Sequence, residues 1–241
     1  MFAKSVWWQT LAATQQDRVR RDAQVKLIPA NAFVCREGEA PEYWPGVASG
    51  LVKLSTGDAT GRTATLAGVP SGGWFGEGSL LKCEHRRYGA IALRDSQIVF
   101  VPAQTFSWLL DNSIGFNRFV LHQLNERLSH FIGSVEHQRL LNPEGRLARC
   151  LAQMFNPFLF PGVEPTFPFS QQELGQLTGL SRQRVNRALQ ILENEGLVSV
   201  RYGAIQVESV AGLSSYPGPP EPGREPETPA LMAQFNQSFK S

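Results

Sequence analysis

Arg182, Gln183, Asn186 and Arg187 fall within the run Ser181-Arg-Gln-Arg-Val-Asn-Arg187, less than two helical turns in length. Arginine offers paired donors that match the two acceptors on a guanine edge, and Asn and Gln match adenine. Such side chains on the first turns of an exposed helix imply readout of base edges in a DNA major groove. Val185, Ala188, Leu189 and Leu192 recur at i, i+3, i+4 and i+7, which sets a buried stripe away from that polar face. Arg182, Arg184 and Arg187 all precede the first acid of the helix, Glu193.

These residues need elements to position them. Ser181 is the expected cap of their helix. Ahead of it, Ser170 and Glu173 have capping-box spacing, Leu174 and Leu177 give an apolar side, and Gly179 ends a first helix. Ser170, Gln172 and Ser181 are therefore candidate DNA contacts beside the arginines. Leu197–Arg201 and 204–207 flank Tyr202-Gly203 as a short hairpin, a wing whose Arg201 can touch phosphate. Between Asn142 and Leu213 six Arg balance six Glu, so placement of charge rather than its sum carries the argument.

Length and composition bound the rest. The 241 residues suffice for two ordinary domains, and 42% hydrophobic with 18% charged residues suits a soluble globular chain. A net charge of +2 says little about partners. Met1 to Thr14 lacks the unbroken apolar core of a secretory signal, and no run approaches a membrane span. Cys35, Cys83 and Cys150 are odd in number and far apart, which fits a reducing cytoplasm and excludes a zinc finger. No Gly-x-Ser-x-Gly, P-loop or His-Glu-x-x-His motif occurs, so the expectation is that the chain is not an enzyme.

The expected fold class is α+β: an N-terminal β-roll, a long dimerisation helix and a C-terminal winged helix-turn-helix. Residues 1–104 form an N-terminal helix and the roll, with turn signals at Arg36-Glu-Gly-Glu39, Ser49-Gly50, Thr56-Gly57-Asp58 and Ser71-Gly-Gly73. Residues 105–141 read as one helix, on which Leu121, Leu124, Leu128, Phe131 and Val135 step by 3, 4, 3, 4 as a self-association seam. Asn142-Pro143 caps the next helix and opens the DNA-binding region, 142–213, where Cys150 is a small core residue. Residues 214–241 are a Pro/Gly/Glu tail expected to be disordered, with one or two helical turns within Ala230–Phe239.

This order, together with Gln172-Glu-Leu-Gly-Gln-Leu and Thr178-Gly-Leu-Ser-Arg-Gln-Arg-Val-Asn-Arg187, resembles the Crp/Fnr family of bacterial transcription regulators over residues 20–212. The resemblance implies that Arg182, Gln183 and Arg187 read bases. Gln183 stands where the family's cyclic-AMP-responsive member has Glu, and Asn186 replaces a Gly, so a different operator is implied. It implies double-stranded DNA and a second copy as partners, leaves RNA polymerase open as a third, and calls for no membrane. The alternative is an effector- or partner-binding module without DNA binding, against which the intact arginine face argues.

Gly73-Trp-Phe-Gly-Glu-Gly-Ser-Leu80 with Arg86-Arg-Tyr-Gly89 resembles the phosphate-binding cassette of cyclic-nucleotide domains. By that resemblance Gly76, Gly78 and Ser79 let the backbone approach a ligand, Glu77 takes a ribose hydroxyl and Arg87 pairs with the cyclic phosphate. Tyr88 then follows the arginine in place of Ser or Thr, and Phe131 and Ile132 occupy the positions of the purine's hydroxyl partners. The expectation is no certain cofactor and weak or absent cyclic AMP binding. An iron–sulfur cluster is excluded because no Cys precedes Cys35. Among His85, His122, His130 and His137, the latter two read as helix-flank residues rather than haem ligands.

Overall fold

A computed structural model describes residues 2–57, 63–161, 163, 166–167, 169–201 and 204–217. Asp58, the wing turn Tyr202-Gly203 and the tail beyond 217, with Ala230–Phe239, lie outside the described residues.

A 3-10 turn and two helices, α1 (Val6–Gln9) and α2 (Ala13–Asp22), lead into seven strands. These are β1 (Gln24–Ile28), β2 (Phe33–Cys35), β3 (Tyr43–Ser49), β4 (Leu51–Gly57), β5 (Thr63–Pro70), β6 (Gly89–Ala92) and β7 (Ser96–Pro102). The helix α3 (Glu77–Lys82) sits between β5 and β6. The strands form two sheets, ordered β1-β7-β3 and β2-β6-β4-β5, with all pairings antiparallel. Val47, Val52, Leu54, Val69, Phe75 and Ile98 fill the space between them. The turn from β3 to β4 needs Gly50: its φ is 108°, and a Cβ there would lie 2.1 Å from Ser96 Oγ.

A second core is aromatic. Trp7 of α1 packs against Trp44, Trp74 and Phe116, with ring centroids 5.2–5.6 Å apart. It fastens the N-terminus and the roll to the helices α4 (Ala103–Asn112) and α5 (Ile114–Leu140). The single helix expected from Thr105 to Leu141 is thus two. Ser113 breaks it in extended backbone (ψ 105°), and its hydroxyl accepts from Phe116 N to cap α5.

The C-terminal part comprises α6 (Pro143–Gln153), β8 (Thr166–Phe167), α7 (Gln171–Thr178), α8 (Arg182–Asn194), β9 (Val198–Arg201), β10 (Ala204–Val207) and α9 (Val210–Ser215). Asn142 caps α6 by accepting from Gly145 N, with Pro143 at its first position, as the sequence implied. Leu147, Leu151, Leu174, Val185, Leu189 and Leu192 form its core. Leu51 of the roll also belongs to that core, and Thr65 Oγ1 donates to the Gln176 carbonyl at 2.6 Å. Arg94, between β6 and β7, pairs with Glu173 at 2.7 Å, so roll and helix-turn-helix are docked together.

Candidate nucleic-acid interface and effector pocket

The two helices of the interface are built as their caps require. Ser170 and Glu173 form the reciprocal box, with Ser170 N donating to Glu173 Oε2 at 2.7 Å. Gly179 closes α7 at φ 69°, and Ser181 accepts from Arg184 N to start α8. Val185, Ala188, Leu189 and Leu192 are buried, whereas Arg182, Gln183, Arg184, Asn186 and Arg187 are all exposed. Ser170, Gln172, Arg182 and Arg201 line one cleft of about 420 Å³ between the start of α7, α8 and the β9–β10 hairpin. Glu193 Oε1 accepts from Val200 N at 2.7 Å, which holds that hairpin to α8.

Gln171 is a residue that the sequence reasoning missed. Its amide donates to Asn186 Oδ1 at 3.1 Å and accepts from Arg182 Nε at 3.4 Å. It therefore orients two of the side chains expected to read bases. Its place at the first position of α7, eleven and fifteen residues from its partners, is visible only in the folded turn.

The second site lies under α3. Gly76 adopts φ 87°, and a Cβ on it would stand 2.5 Å from Arg86 Nη1. Only glycine lets the backbone pass this guanidinium. Arg86 is buried, 6% exposed, and donates through Nη2 to the Tyr43 carbonyl at 2.6 Å. Arg87, the arginine expected inside, is instead at the surface: its side chain is 78% exposed and pairs with Glu84 at 3.1 Å. Arg86 N also donates to the Glu39 carbonyl at 2.9 Å, and Gly38 N to the Arg86 carbonyl at 2.9 Å, which fixes Arg86 against the β2–β3 turn.

Glu77 is 2% exposed and meets Arg127 Nε of α5 at 2.7 Å. Arg127 also donates to the Trp74 carbonyl. This tie from the cassette to α5 had no counterpart in the sequence reading. Glu77 Oε2 and Arg86 Nη1 are buried and have no hydrogen-bond partner. One unmet acceptor, on the residue after Gly76, and one unmet cationic donor, which the Gly76 backbone passes closely, thus remain buried in this region. Gly78 and Ser79 are half-buried on α3. The Tyr88 phenol is pushed up to about 12, chiefly by burial and then by the Glu77 carboxylate. Phe131 is half-buried on α5, and Ile132 is 61% exposed.

The comparisons agree with this architecture of a sensor-type roll joined to a helix-turn-helix. The family model described as cyclic nucleotide-binding domain matches residues 25–113, and the Crp-like helix-turn-helix domain matches residues 145–216. The chain is 28% identical over 203 residues to the cyclic AMP receptor protein of Thermus thermophilus, covering 84% of this chain and 92% of that one. It is 24% identical to the cAMP-activated global transcriptional regulator CRP of Haemophilus influenzae, covering 79% and 90%. Among solved structures, FixK2 from Bradyrhizobium japonicum superposes with a TM-score of 0.64 at 22% identity, over 79% of this chain and 95% of that one. These define a transcription regulator with a helix-turn-helix DNA-binding domain and not an enzyme. The chain belongs to the Crp/Fnr family. Among the described residues no helix is long and apolar enough to cross a membrane.

Proposed function

We propose that the protein binds a two-fold operator as a homodimer, with the exposed face of α8 entering the major groove. The observation that carries this is the outward set Arg182, Gln183, Asn186 and Arg187 on a helix whose opposite stripe is wholly buried. Arg182 and Arg187 read guanine, Gln183 and Asn186 favour adenine, and Ser170, Gln172, Ser181 and Arg201 hold phosphates. Leu121, Leu128, Ile132 and Val135 form an exposed apolar stripe along α5, and a second copy covers it. Selection of bound sequences from random duplexes with purified protein tests the proposal. A recovered inverted repeat with half-sites one turn apart is the expected result, and no enrichment overturns it.

The effector pocket is a degenerate version of a cyclic-nucleotide site. Glu77 and Arg86 keep a hydroxyl acceptor and an anion donor, which favours a small anionic ligand. Phe131 and Ile132 offer a purine no small hydroxyl partner on α5, and Arg87 rather than Ser or Thr follows Arg86. The Thermus thermophilus relative is called a cyclic AMP receptor protein, but these substitutions argue that this chain answers to something else or binds DNA without an effector.

A further inference from the structure

A separate cavity of about 60 Å³ lies where β5, the end of α5, α6 and the end of α7 meet. It is lined by His130, Ser134 and His137 from α5 and by Arg146, Arg149 and Gln153 from α6. No lining residue is acidic. Among the described residues neither Arg146 nor Arg149 has a carboxylate within ion-pair distance. Arg146 donates to the Thr178 carbonyl at 2.7 Å and Arg149 Nη1 to the Leu213 carbonyl at 3.4 Å, but Arg149 Nε is buried with no hydrogen-bond partner. A buried guanidinium N–H left unmet on a residue lining this cavity is a standing cost that an anion removes. At about 10–15 Å³ per water, the volume holds a few waters or one tetrahedral oxyanion, and is too small for a nucleotide.

We propose that this cavity is a binding site for a phosphate-class oxyanion, as free inorganic phosphate or as the phosphate group of a small metabolite. Its walls come from the roll, the α5–α6 hinge and the helix-turn-helix, so an occupant ties all three together. The site is distinct from the Glu77/Arg86 pocket and does not rest on the operator reading.

The imidazoles give the site a proton linkage. His130 is held below its ordinary value, first by burial, with Arg127 and His137 adding to the effect and its contact to Gln153 opposing it. His137 is lowered by burial and then by Arg149, against a small opposing effect of Glu136. An oxyanion reverses the repulsion and raises both values. For an occupant of fixed charge, binding then takes up protons at the imidazoles as pH falls through the window between the depressed and restored values, whereas phosphate itself loses charge over the same range and opposes the trend.

The test is imidazole NMR on the full chain, titrating inorganic phosphate, or glycerol phosphate, against chloride at matched ionic strength near pH 6 and near pH 8. His130→Gln and His137→Gln assign the resonances. The expected result is that His130 and His137 move and titrate higher with phosphate while His85 and His122 do not. A response to inorganic phosphate identifies the free ion; a response to the monoester alone identifies a metabolite's phosphate. Arg149→Gln weakens the response about tenfold or more, as loss of a charge-assisted contact should. Arg20→Gln, which removes an equal charge from the surface of α2, leaves it unchanged. If Arg149→Gln unfolds, His137→Gln must weaken the His130 response. His130 and His137 resonances blind to both probes, or a response that survives Arg149→Gln in folded protein, overturn the proposal.

Discussion

Arg127 of α5 holds Glu77 of the cassette helix at 2.7 Å, with Glu77 2% exposed and Arg127 also donating to the Trp74 carbonyl. The buried carboxylate of the cassette is therefore neutralised by the long helix rather than by the roll. Removing one partner strands a buried charge. Arg127→Leu should lower unfolding stability by about 3–5 kcal/mol, and Arg127→Leu with Glu77→Gln should recover much of that loss. Urea denaturation of both singles and the double measures it. Additive losses would show that the two side chains do not act as a pair.

Arg86 and Arg87 are adjacent in sequence and opposite in environment. Arg86→Met should cost about 1–3 kcal/mol, because the Tyr43 carbonyl loses its donor beside a buried site. Arg87→Gln should stay within about 0.5 kcal/mol, since an exposed pair with Glu84 contributes little. Thermal melts of the two variants decide between them, and equal losses would refute the inward assignment of Arg86.

That pair shows where the sequence was legible and where it was not. Caps at Asn142, Ser170 and Ser181 and the stripe Val185-Ala188-Leu189-Leu192 were readable because they depend on neighbours within a few residues. Which of two consecutive arginines turns inward depends on tertiary packing that the sequence pattern does not show: Arg86 is buried, whereas Arg87, expected to pair with the phosphate, lies at the surface. The Glu77–Arg127 contact joins residues fifty apart, and Gln171 meets Asn186 only across the folded turn. The break at Ser113 was missed because helical patterns run on either side of it.

On α5 the exposed stripe and the packed face must be separated. Leu128 and Ile132 are 58% and 61% exposed, whereas Leu124 packs against the aromatic core. Leu128→Glu with Ile132→Glu should convert dimers to monomers without loss of fold, as read by sedimentation. Leu124→Glu should instead lower stability by about 1–3 kcal/mol. A double mutant that still sediments as a dimer places the interface elsewhere.

For DNA, Arg182→Ala and Arg187→Ala should each lose about 1–3 kcal/mol of discrimination against base changes at one operator position. Arg201→Ala should weaken all sequences alike and reduce the salt slope by about one per half-site. Binding isotherms across a salt series, on selected and scrambled duplexes, separate reading from positioning. Should Arg201→Ala abolish selectivity while Arg182→Ala leaves it intact, the two roles are reversed.

Cyclic AMP is the ligand that the relatives' names suggest and that this pocket's chemistry resists. Arg86 Nη1 and Glu77 Oε2 await partners, so a small anion with a neighbouring hydroxyl has something to bind. The purine does not. By the family resemblance Phe131 and Ile132 take the positions of the purine's hydroxyl partners, and each unmade hydrogen bond costs about 1–3 kcal/mol. Arg87 follows Arg86 where a small hydroxyl would donate to the phosphate, and the buried Tyr88 phenol lies close to Glu77. Two lost partners then amount to about 2–6 kcal/mol, which weakens a micromolar site by about thirtyfold to more than ten-thousandfold. Calorimetric titration should accordingly show affinity weaker than about tens of micromolar, and operator binding should be the same with and without cyclic AMP. Phe131→Thr with Ile132→Ser should strengthen cyclic AMP binding if those positions are the obstacle. Micromolar affinity in the unaltered chain, accompanied by tighter operator binding, would overturn the degenerate-pocket reading.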